Sequence, residues 1–390
     1  MHRGLFALLF LIGLNACSSF NQASRQISAE GMRAYELSVA GNNQQLALAW
    51  YGGTEEVDAI YLQWLTAQGK PEGAPRQITD GRRSAYEVDL QFIDQDALLV
   101  WYEKDKATGA LTAYLERQRH DGQVLWRQTL NAQGGWARNP VVRVANSTIH
   151  VAWIETPTGA SSTEPAVWTA DFDAAGKPSA MPRRAAAASS NTWNLNATVN
   201  KEGTFYVAYD AKLSTRAKEL QLLTITEGSI RHATLSPDDG FDSIYPDIGI
   251  NDNGVVALTW FDTRDGNQEV YLSVGSLAEL LSSNSLHPQR ITHTPANSIG
   301  AYLAWNGARL ALVWCDAQPG QQELYARFFN VRGQGISDVQ RLTHTATQSS
   351  IPSIRAGQQG FWVAWNEYRL EGEGAHAHIV SSTAMLQRLQ

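Results

Sequence analysis

The stretch ALTWFDTRDGNQEVYL, residues 257–272, contains the pattern on which the fold depends. An apolar run ends at Trp260, an acid follows at Asp262, a polar turn contains Gly266, and a second apolar run passes through Tyr271. Turn residues between two runs rich in β-branched and aromatic side chains are typical of a β-hairpin. Similar stretches occur elsewhere in the chain, so this hairpin is interpreted as part of a repeated unit.

Apolar runs that end in an aromatic residue recur at nearly constant intervals along the chain. They end at Trp50, Trp101, Trp153, Tyr209, Trp260, Trp314 and Trp365. The intervals between these residues are 51, 52, 56, 51, 54 and 51. A fixed period of this length with several short strands in each unit is typical of β-propeller blades.

Each unit contains four short apolar segments in the same order. The first is often opened by proline, as at Pro140, Pro246 and Pro352, and a turn rich in Asn, Asp and Gly separates it from the aromatic-ending segment. A third segment alternates apolar and polar residues, and a fourth reads RQIT at 76–79 and QRIT at 289–292. The pattern predicts four-stranded blades.

The two ends of the chain complete one unit between them. The last unit ends after its third segment, near residues 378–385, while residues 25–28 read RQIS and match the fourth segment at 76–79. A strand from the N-terminus would then complete the last blade and leave no long bare sheet edge. We therefore predict an all-β, seven-bladed β-propeller of four-stranded blades, spanning residues 25–390 and closed by an N-terminal strand.

The chain opens MHRGLFALLFLIGLNAC, a short positive segment followed by an apolar run too short to span a bilayer. Its end resembles a bacterial lipoprotein signal, which implies cleavage after residue 16, diacylation of Cys17 and a tether over residues 17–24. Ser18 after the cysteine favours anchoring in the outer membrane, on either its periplasmic or its surface face. The alternative is an ordinary secretory signal peptide that contains a coincidental cysteine.

The composition of the chain argues against nucleic-acid binding, an intramolecular disulfide and a bound cofactor. The formal net charge of the 390 residues is −7, with no cluster of Lys and Arg, which argues against nucleic-acid binding. Cys315 is the only other cysteine, so a lipidated Cys17 leaves no intramolecular disulfide. No motif for a metal, nucleotide or other cofactor is present, and none is expected.

Acids follow the repeated aromatic residues. In five units the acid lies two residues beyond, in one unit Asp210 lies one residue beyond, and the first unit has Gly52. The five acids are Glu103, Glu155, Asp262, Asp316 and Glu367. Such carboxylates could organise tight turns, or, with Arg264, form a charged rim that binds a partner. The mixture of Asp and Glu argues against a metal cage.

The repeats, which read V-A-W-x-D and G-x-x-x-Y, resemble those of bacterial sialidase-like, BNR-type propellers. The resemblance implies a ligand near the central axis, and Arg138-Asn139-Pro140 has the R-x-P shape of the family's first substrate-binding arginine. The S-x-D-x-G-x-x-W boxes of the family are absent from the sequence, as are matching motifs for its other catalytic residues.

Three hypotheses about function follow. The first is a non-catalytic lipoprotein that binds an envelope protein or glycan at one propeller face, and the second is a sialidase-like glycoside hydrolase acting on an acidic sugar. The third is a purely structural scaffold. The candidate ligand residues are Arg138, Glu103, Glu155, Asp262, Arg264, Asp316 and Glu367. Two segments that depart from the repeat, 156–165 and the 183–190 link between the third and fourth blades, are additional candidates for binding loops.

Overall fold

The computed structural model describes residues 23–42, 44–54, 57–158, 164–281, 287–372 and 377–390. These residues form seven antiparallel sheets of four strands each, arranged in a ring around a central axis. The sheets are the blades of a propeller, so the predicted fold class and blade number are confirmed. Cys17 and the predicted signal peptide lie outside the described residues, as does part of the 156–165 segment.

Within each blade the strands follow chain order from the axis outward. Blades 1 to 3 consist of β2 (Arg33–Gly41), β3 (Leu46–Gly53), β4 (Ala59–Leu65) and β5 (Arg76–Gln77); β6 (Ser84–Ile93), β7 (Asp96–Lys104), β8 (Leu111–Gln118) and β9 (Val124–Thr129); and β10 (Trp136–Ala145), β11 (Thr148–Thr156), β12 (Ala166–Phe172) and β13 (Arg183–Ala187).

Blades 4 to 7 have the same order. They consist of β14 (Leu195–Val199), β15 (Phe205–Ala211), β16 (Glu219–Ile225) and β17 (Ile230–Thr234); β18 (Ser243–Ile250), β19 (Val255–Asp262), β20 (Glu269–Ser276) and β21 (Gln289–Arg290); β22 (Ser298–Asn306), β23 (Arg309–Asp316), β24 (Glu323–Phe329) and β25 (Gln340–Arg341); and β26 (Gln348–Gly357), β27 (Gly360–Glu371), β28 (His378–Leu389) and β1 (Arg25–Gln26). A short helix, α1 (Leu277–Leu281), follows β20.

The ring closes where β1 pairs with β28. The Ile27 N–H donates to the Ala384 carbonyl at 2.8 Å, and the Ala384 N–H donates to Ser28 Oγ at 3.0 Å. Thr79 makes the equivalent bond inside blade 1, where it accepts from the Ile60 N–H at 3.1 Å. The match between RQIS and RQIT therefore reflects the same hydrogen bonds, and the predicted closure is confirmed.

The repeated aromatic residues form the largest side chains of the core. The six tryptophans that end the second strands are at most 2% exposed. In four blades the indole stacks on a tyrosine of the third strand, with ring centroids 5.6 to 6.0 Å apart. Each hydrophobic cluster contains residues of neighbouring blades, so this packing holds one blade against the next.

Two details of the strand prediction are wrong. Pro140, Pro246 and Pro352 lie inside β10, β18 and β26 rather than at their first residues, at β-bulges where the pairing register shifts. A bulge leaves a residue unpaired, so proline costs no ladder hydrogen bond there. The 183–190 segment begins with β13, the outer strand of blade 3, because its backbone pairs with β12.

Among the described residues, no helix has the length and apolar character needed to cross a membrane.

We predict that removing β1 destabilises the whole ring. A variant lacking residues 1–28 loses the buried Ile27 side chain and both bonds to Ala384, worth about 3–5 kcal/mol of unfolding free energy. The control lacks residues 1–22 and keeps β1. Denaturant unfolding of the two variants measures the difference, and equal midpoints would contradict closure by β1.

Candidate functional site

A channel of about 970 Å³ runs along the propeller axis, lined by the inner strands of all seven blades. Each blade contributes one residue, from its inner strand or, for Asn194, from the position just before it, to a ring that we call the mouth ring. The mouth ring lies two or three residues after the start of most inner strands, beside the face that carries the links between blades. Its members, all bordering the channel, are Glu36, Glu87, Asn139, Asn194, Tyr245, Gly300 and Ile351.

Six members of the mouth ring have a left-handed backbone, with φ between 45° and 60°. Only one of these six is glycine, Gly300. A non-glycine residue in this region is uncommon and costs on the order of 1 kcal/mol, so such residues are often found at functional sites. Here the conformation arises at the bulges of the inner strands, as in β6, where the pairing shifts between Tyr86 and Asp89.

Glu36 and Glu87 place two carboxyl groups on neighbouring blades of the mouth. Burial raises the pKa of Glu36 to about 7. Burial and the nearby charge of Glu36 raise the pKa of Glu87 well above its usual value, although Arg138 opposes this shift. Asn139 Nδ2 donates a hydrogen bond to Glu87 Oε2. At neutral pH the pair therefore retains a proton and can both donate and accept hydrogen bonds.

A row of four tyrosines lies beside this acid pair, behind the residues that line the channel. Tyr35, Tyr51, Tyr86 and Tyr102 form a continuous row with successive ring centroids 5.4, 5.5 and 5.4 Å apart. Burial and the carboxylate charges of the acid pair raise the pKa values of Tyr51 and Tyr102. Their phenols remain protonated at neutral pH and are available as hydrogen-bond donors.

Arg138, a candidate from the sequence, lies next to the mouth ring. Its side chain is 8% exposed and donates to Asn139 Oδ1 and to the Thr192 carbonyl, each at 2.7 Å. Its guanidinium lies 5.0 Å from the centre of the Trp193 ring, and this indole is 49% exposed. Arg138 therefore supports an aromatic surface at the rim and acts electrostatically on Glu87.

The acids that follow the aromatic residues lie within the blades. In four blades the carboxylate accepts a hydrogen bond from the indole N–H two residues earlier, at 3.0 to 3.2 Å. These four acids are Glu103, Glu155, Asp262 and Glu367. Glu155 also accepts the N–H groups of Ala132, Gln133 and Gly135 in the link before its blade.

The remaining rim candidates have equally local partners. Asp316 accepts from Ser298 Oγ at 2.8 Å, and Arg264 forms an ion pair with Asp262 at 2.7 Å. Asp210 pairs with Lys218 at 2.7 Å. These contacts give each acid a place in its own blade, and binding of a partner by this set stays a prediction.

Blade 1 lacks the acid for a steric reason. A Cβ atom at Gly52, where φ is +143°, would lie 2.2 Å from the Arg33 carbonyl oxygen. With no carboxylate at this position, Trp50 Nε1 is buried and has no hydrogen-bond partner among the described residues.

Glu36 and Glu87 were not among the candidate residues predicted from the sequence. Glu36 and Glu87 are 51 residues apart, which is the commonest repeat interval, so alignment of the inner strands contained a usable signal. The described residues contain no group of three or more His, Cys, Asp or Glu side chains placed to bind a metal ion. Cys315 borders the channel beside Gly300, and burial raises its pKa to about 12.

No protein-family model matches the chain, and no curated protein matches its sequence. Many solved structures share its fold. A PL25 ulvan lyase bound to -[GlcA(1-4)Rha3S]- aligns with a TM-score of 0.60 and 11% identity over 91% of this chain and 97% of the lyase.

Two further structures are similar. An α-L-arabinanase of Penicillium chrysogenum complexed with arabinobiose has a TM-score of 0.54 and 13% identity over 80% of this chain and 94% of its own. The endosialidase of phage phi92 has a TM-score of 0.53 and 11% identity over 95% and 69% of the two chains. At these identities the likeness shows a shared propeller fold, which includes sialidase-like, lyase and hydrolase members.

We predict that Trp101→Phe destabilises the protein by about 1 kcal/mol more than Trp50→Phe. Both substitutions shrink a buried ring, but only Trp101 donates to a carboxylate, at 3.0 Å from Glu103. Urea unfolding of the two variants measures the difference. Equal losses would show that the indole–carboxylate bond adds nothing to blade stability.

We also predict that Glu36→Gln makes stability less dependent on pH. Because the folded pKa of Glu36 is raised to about 7, its contribution is present at pH 4 and is lost as pH rises through 7. The stability of the variant relative to wild type should therefore increase by about 1–2 kcal/mol between pH 5 and pH 8, allowing for partial exposure. Glu202→Gln, at an exposed turn, is the control. Parallel pH profiles for Glu36→Gln and wild type would contradict the assignment.

Proposed function

We propose that this chain binds a glycan at the mouth of the propeller channel. The observation that carries the proposal is that Glu36 and Glu87 border the channel, while the tyrosine row lies beside them and the exposed indole of Trp193 lies beside Asn139 of the mouth ring. Saccharides present hydroxyl groups at their edges and apolar C–H groups on their ring faces. The mouth supplies hydrogen-bonding groups for the former and aromatic rings for the latter.

The neighbours with the same fold support this choice of ligand class. The three similar structures are an ulvan lyase, an arabinanase and an endosialidase, all of which act on carbohydrates. In this chain the mouth ring takes one residue from each of the seven blades, so a ligand that covers the axis can contact several blades. A glycan that bridges several blades can use the acid pair and Trp193 together.

Cleavage of the bound glycan is the second candidate function, favoured by the coupled carboxyl groups. A protonated member of the Glu36–Glu87 pair could give its proton to the glycosidic oxygen as the C–O bond breaks, while the ionised member activates a water or attacks the sugar. One water molecule is consumed for each bond broken. Such a hydrolase would correspond to the sialidase-like alternative, with the acid pair supplying the carboxyl groups for which the sequence contains no matching family motif.

We further propose that the domain is anchored to the outer membrane through a lipidated Cys17. The register of β1 supports a definite orientation, because Arg25 pairs with Leu386 near the end of β28 and donates to the Gly69 carbonyl at 2.8 Å. That end of blade 7 is opposite the mouth ring. The tether would then leave from the far face, and the mouth would face away from the membrane.

We predict that the domain without residues 1–16 binds members of a glycan array. Glu87→Gln and Trp193→Ala should each lower affinity by about tenfold or more, because the hydrogen bonds of a carboxyl group or a stacking surface are lost. Glu202→Gln, on an exposed turn of the opposite face, should have no effect. Binding that is unchanged in both mouth variants, or no glycan binding by wild type, would refute the proposal.

The same proteins separate binding from cleavage. Wild type is incubated with each bound glycan, and newly released reducing ends are measured against a Glu36→Gln/Glu87→Gln double variant. Release by wild type alone supports a hydrolase, whereas binding without release supports a binding module.

A further inference from the structure

A second ring of side chains borders the channel four residues beyond the mouth ring, deeper along the axis. We call it the arginine layer, after its two largest members. It consists of Gln91, Arg143, Thr198, Gly249, Ala304 and Arg355. The equivalent residue of blade 1, Ala40, is buried in the core between blades 1 and 2. Small residues in blades 5 and 6 leave space beside the two guanidinium groups.

Arg143 is partly neutralised. Its Nη1 pairs with Asp89 Oδ2 at 2.6 Å, and its Nε donates to the Ala197 carbonyl at 2.6 Å. Its Nη1 also donates to the Val142 carbonyl at 2.5 Å. Among the described residues, the Nη2 group of Arg143 has no acceptor.

Arg355 has no such counter-ion. Its Nη2 donates at 2.7 Å to the neutral side chain of Gln91, which belongs to blade 2. Within the part of the chain that the structure describes, no carboxylate lies within 4 Å of Arg355, and its Nε and Nη1 groups have no acceptor. Burial, together with the nearby charge of Arg143, lowers the pKa of Arg355 to about 10, although the charges of Asp89 and Asp247 oppose this shift.

The acids nearest to this layer are already occupied. Asp247 accepts the N–H groups of Ile248 and Leu303, each at 2.9 Å. Asp89 accepts from Ser38 and Val142 as well as from Arg143. Asp89 and Asp247 offset part of the charge of the two arginines. The guanidinium N–H groups that have no protein acceptor, Nη2 of Arg143 and Nε and Nη1 of Arg355, are available to donate to an anion.

We propose that the arginine layer binds a small oxyanion between Arg143 and Arg355. Sulfate, phosphate and carboxylate groups present oxygens at the spacing of guanidinium N–H groups and accept charge-assisted hydrogen bonds from them. The anion reaches the layer through the channel, either as a free ion or as an acidic group of a larger ligand. This site is separate from the acid pair at the mouth and does not depend on glycan binding.

Calorimetric titration of the domain with sodium sulfate, against sodium chloride of equal ionic strength, tests the proposal. Wild type should show saturable binding, and Arg355→Gln, which keeps an amide able to bond Gln91, should weaken it by about tenfold or more. Arg355→Lys retains the charge and should bind with intermediate affinity. Arg332→Gln, in an exposed turn, is the control and should match wild type.

The outcome is decisive in either direction. No saturable sulfate binding by folded wild type, or equal binding by Arg355→Gln, overturns the site. Titration with glucose and with glucuronate then distinguishes the source of the anion. If glucuronate binds more tightly than glucose, and this difference is lost in Arg355→Gln, the anion is an acidic group of a saccharide. If sulfate binds but glucuronate binds no more tightly than glucose, the anion is a free ion.

Discussion

The ring depends on hydrogen bonds between the inner strands of successive blades. In five of the seven blades, the side chain two positions after the mouth ring forms a hydrogen bond with the backbone of the next inner strand. Ser38 accepts from Leu90 at 3.0 Å, and Ser353 of the last blade accepts from Val39 of the first at 3.2 Å. Asp89 and Asp247 also accept, and Asn196 donates. Neighbouring blades form no β-ladder with each other, so in these blades a polar side chain satisfies the backbone group and makes part of the channel wall polar.

The same constraint produces the mouth. Each bulge frees backbone groups of the inner strand for the next blade and places its first unpaired residue in a left-handed conformation. The free-energy cost of backbone strain at these residues is offset by the stability of the closed ring. Their side chains can therefore have roles other than folding. Glu36 and Glu87 are such residues. Their carboxyl groups are desolvated by the ring, and the bonds to the backbone of the next inner strand are made two positions later, although Glu87 also accepts from the Asn139 side chain of the next blade.

Most of the fold could be predicted from the sequence because it repeats. The aromatic spacing gives the blade number, and RQIS gives the closure, since Ser28 and Thr79 make the same bond. The position of Pro140 misled the strand assignment, because a bulge has no period and is visible only once the strands are paired. The site was harder to predict. The acids after the tryptophans are the charged residues that repeat most clearly in the sequence, yet their carboxylates form hydrogen bonds within their own blades. Glu87 gains its properties from Glu36 and Arg138, which are far from it in sequence and near it only in the ring.

A repeated residue serves the blade, and a departure from the repeat at the axis is where a single ligand can be recognised. Six equivalent acids cannot contact one molecule in the same way, and Gly52 shows that a blade folds without one. The acid pair occurs in two of the seven mouth positions, and the guanidinium groups of Arg143 and Arg355 occupy two of the seven positions in the next layer. These four side chains give a nearly symmetrical ring a negative side at its mouth and a positive charge below it. A ligand bound on the axis therefore contacts a surface that differs from one side of the ring to the other. Other side chains of the channel wall form the hydrogen bonds that hold the blades together.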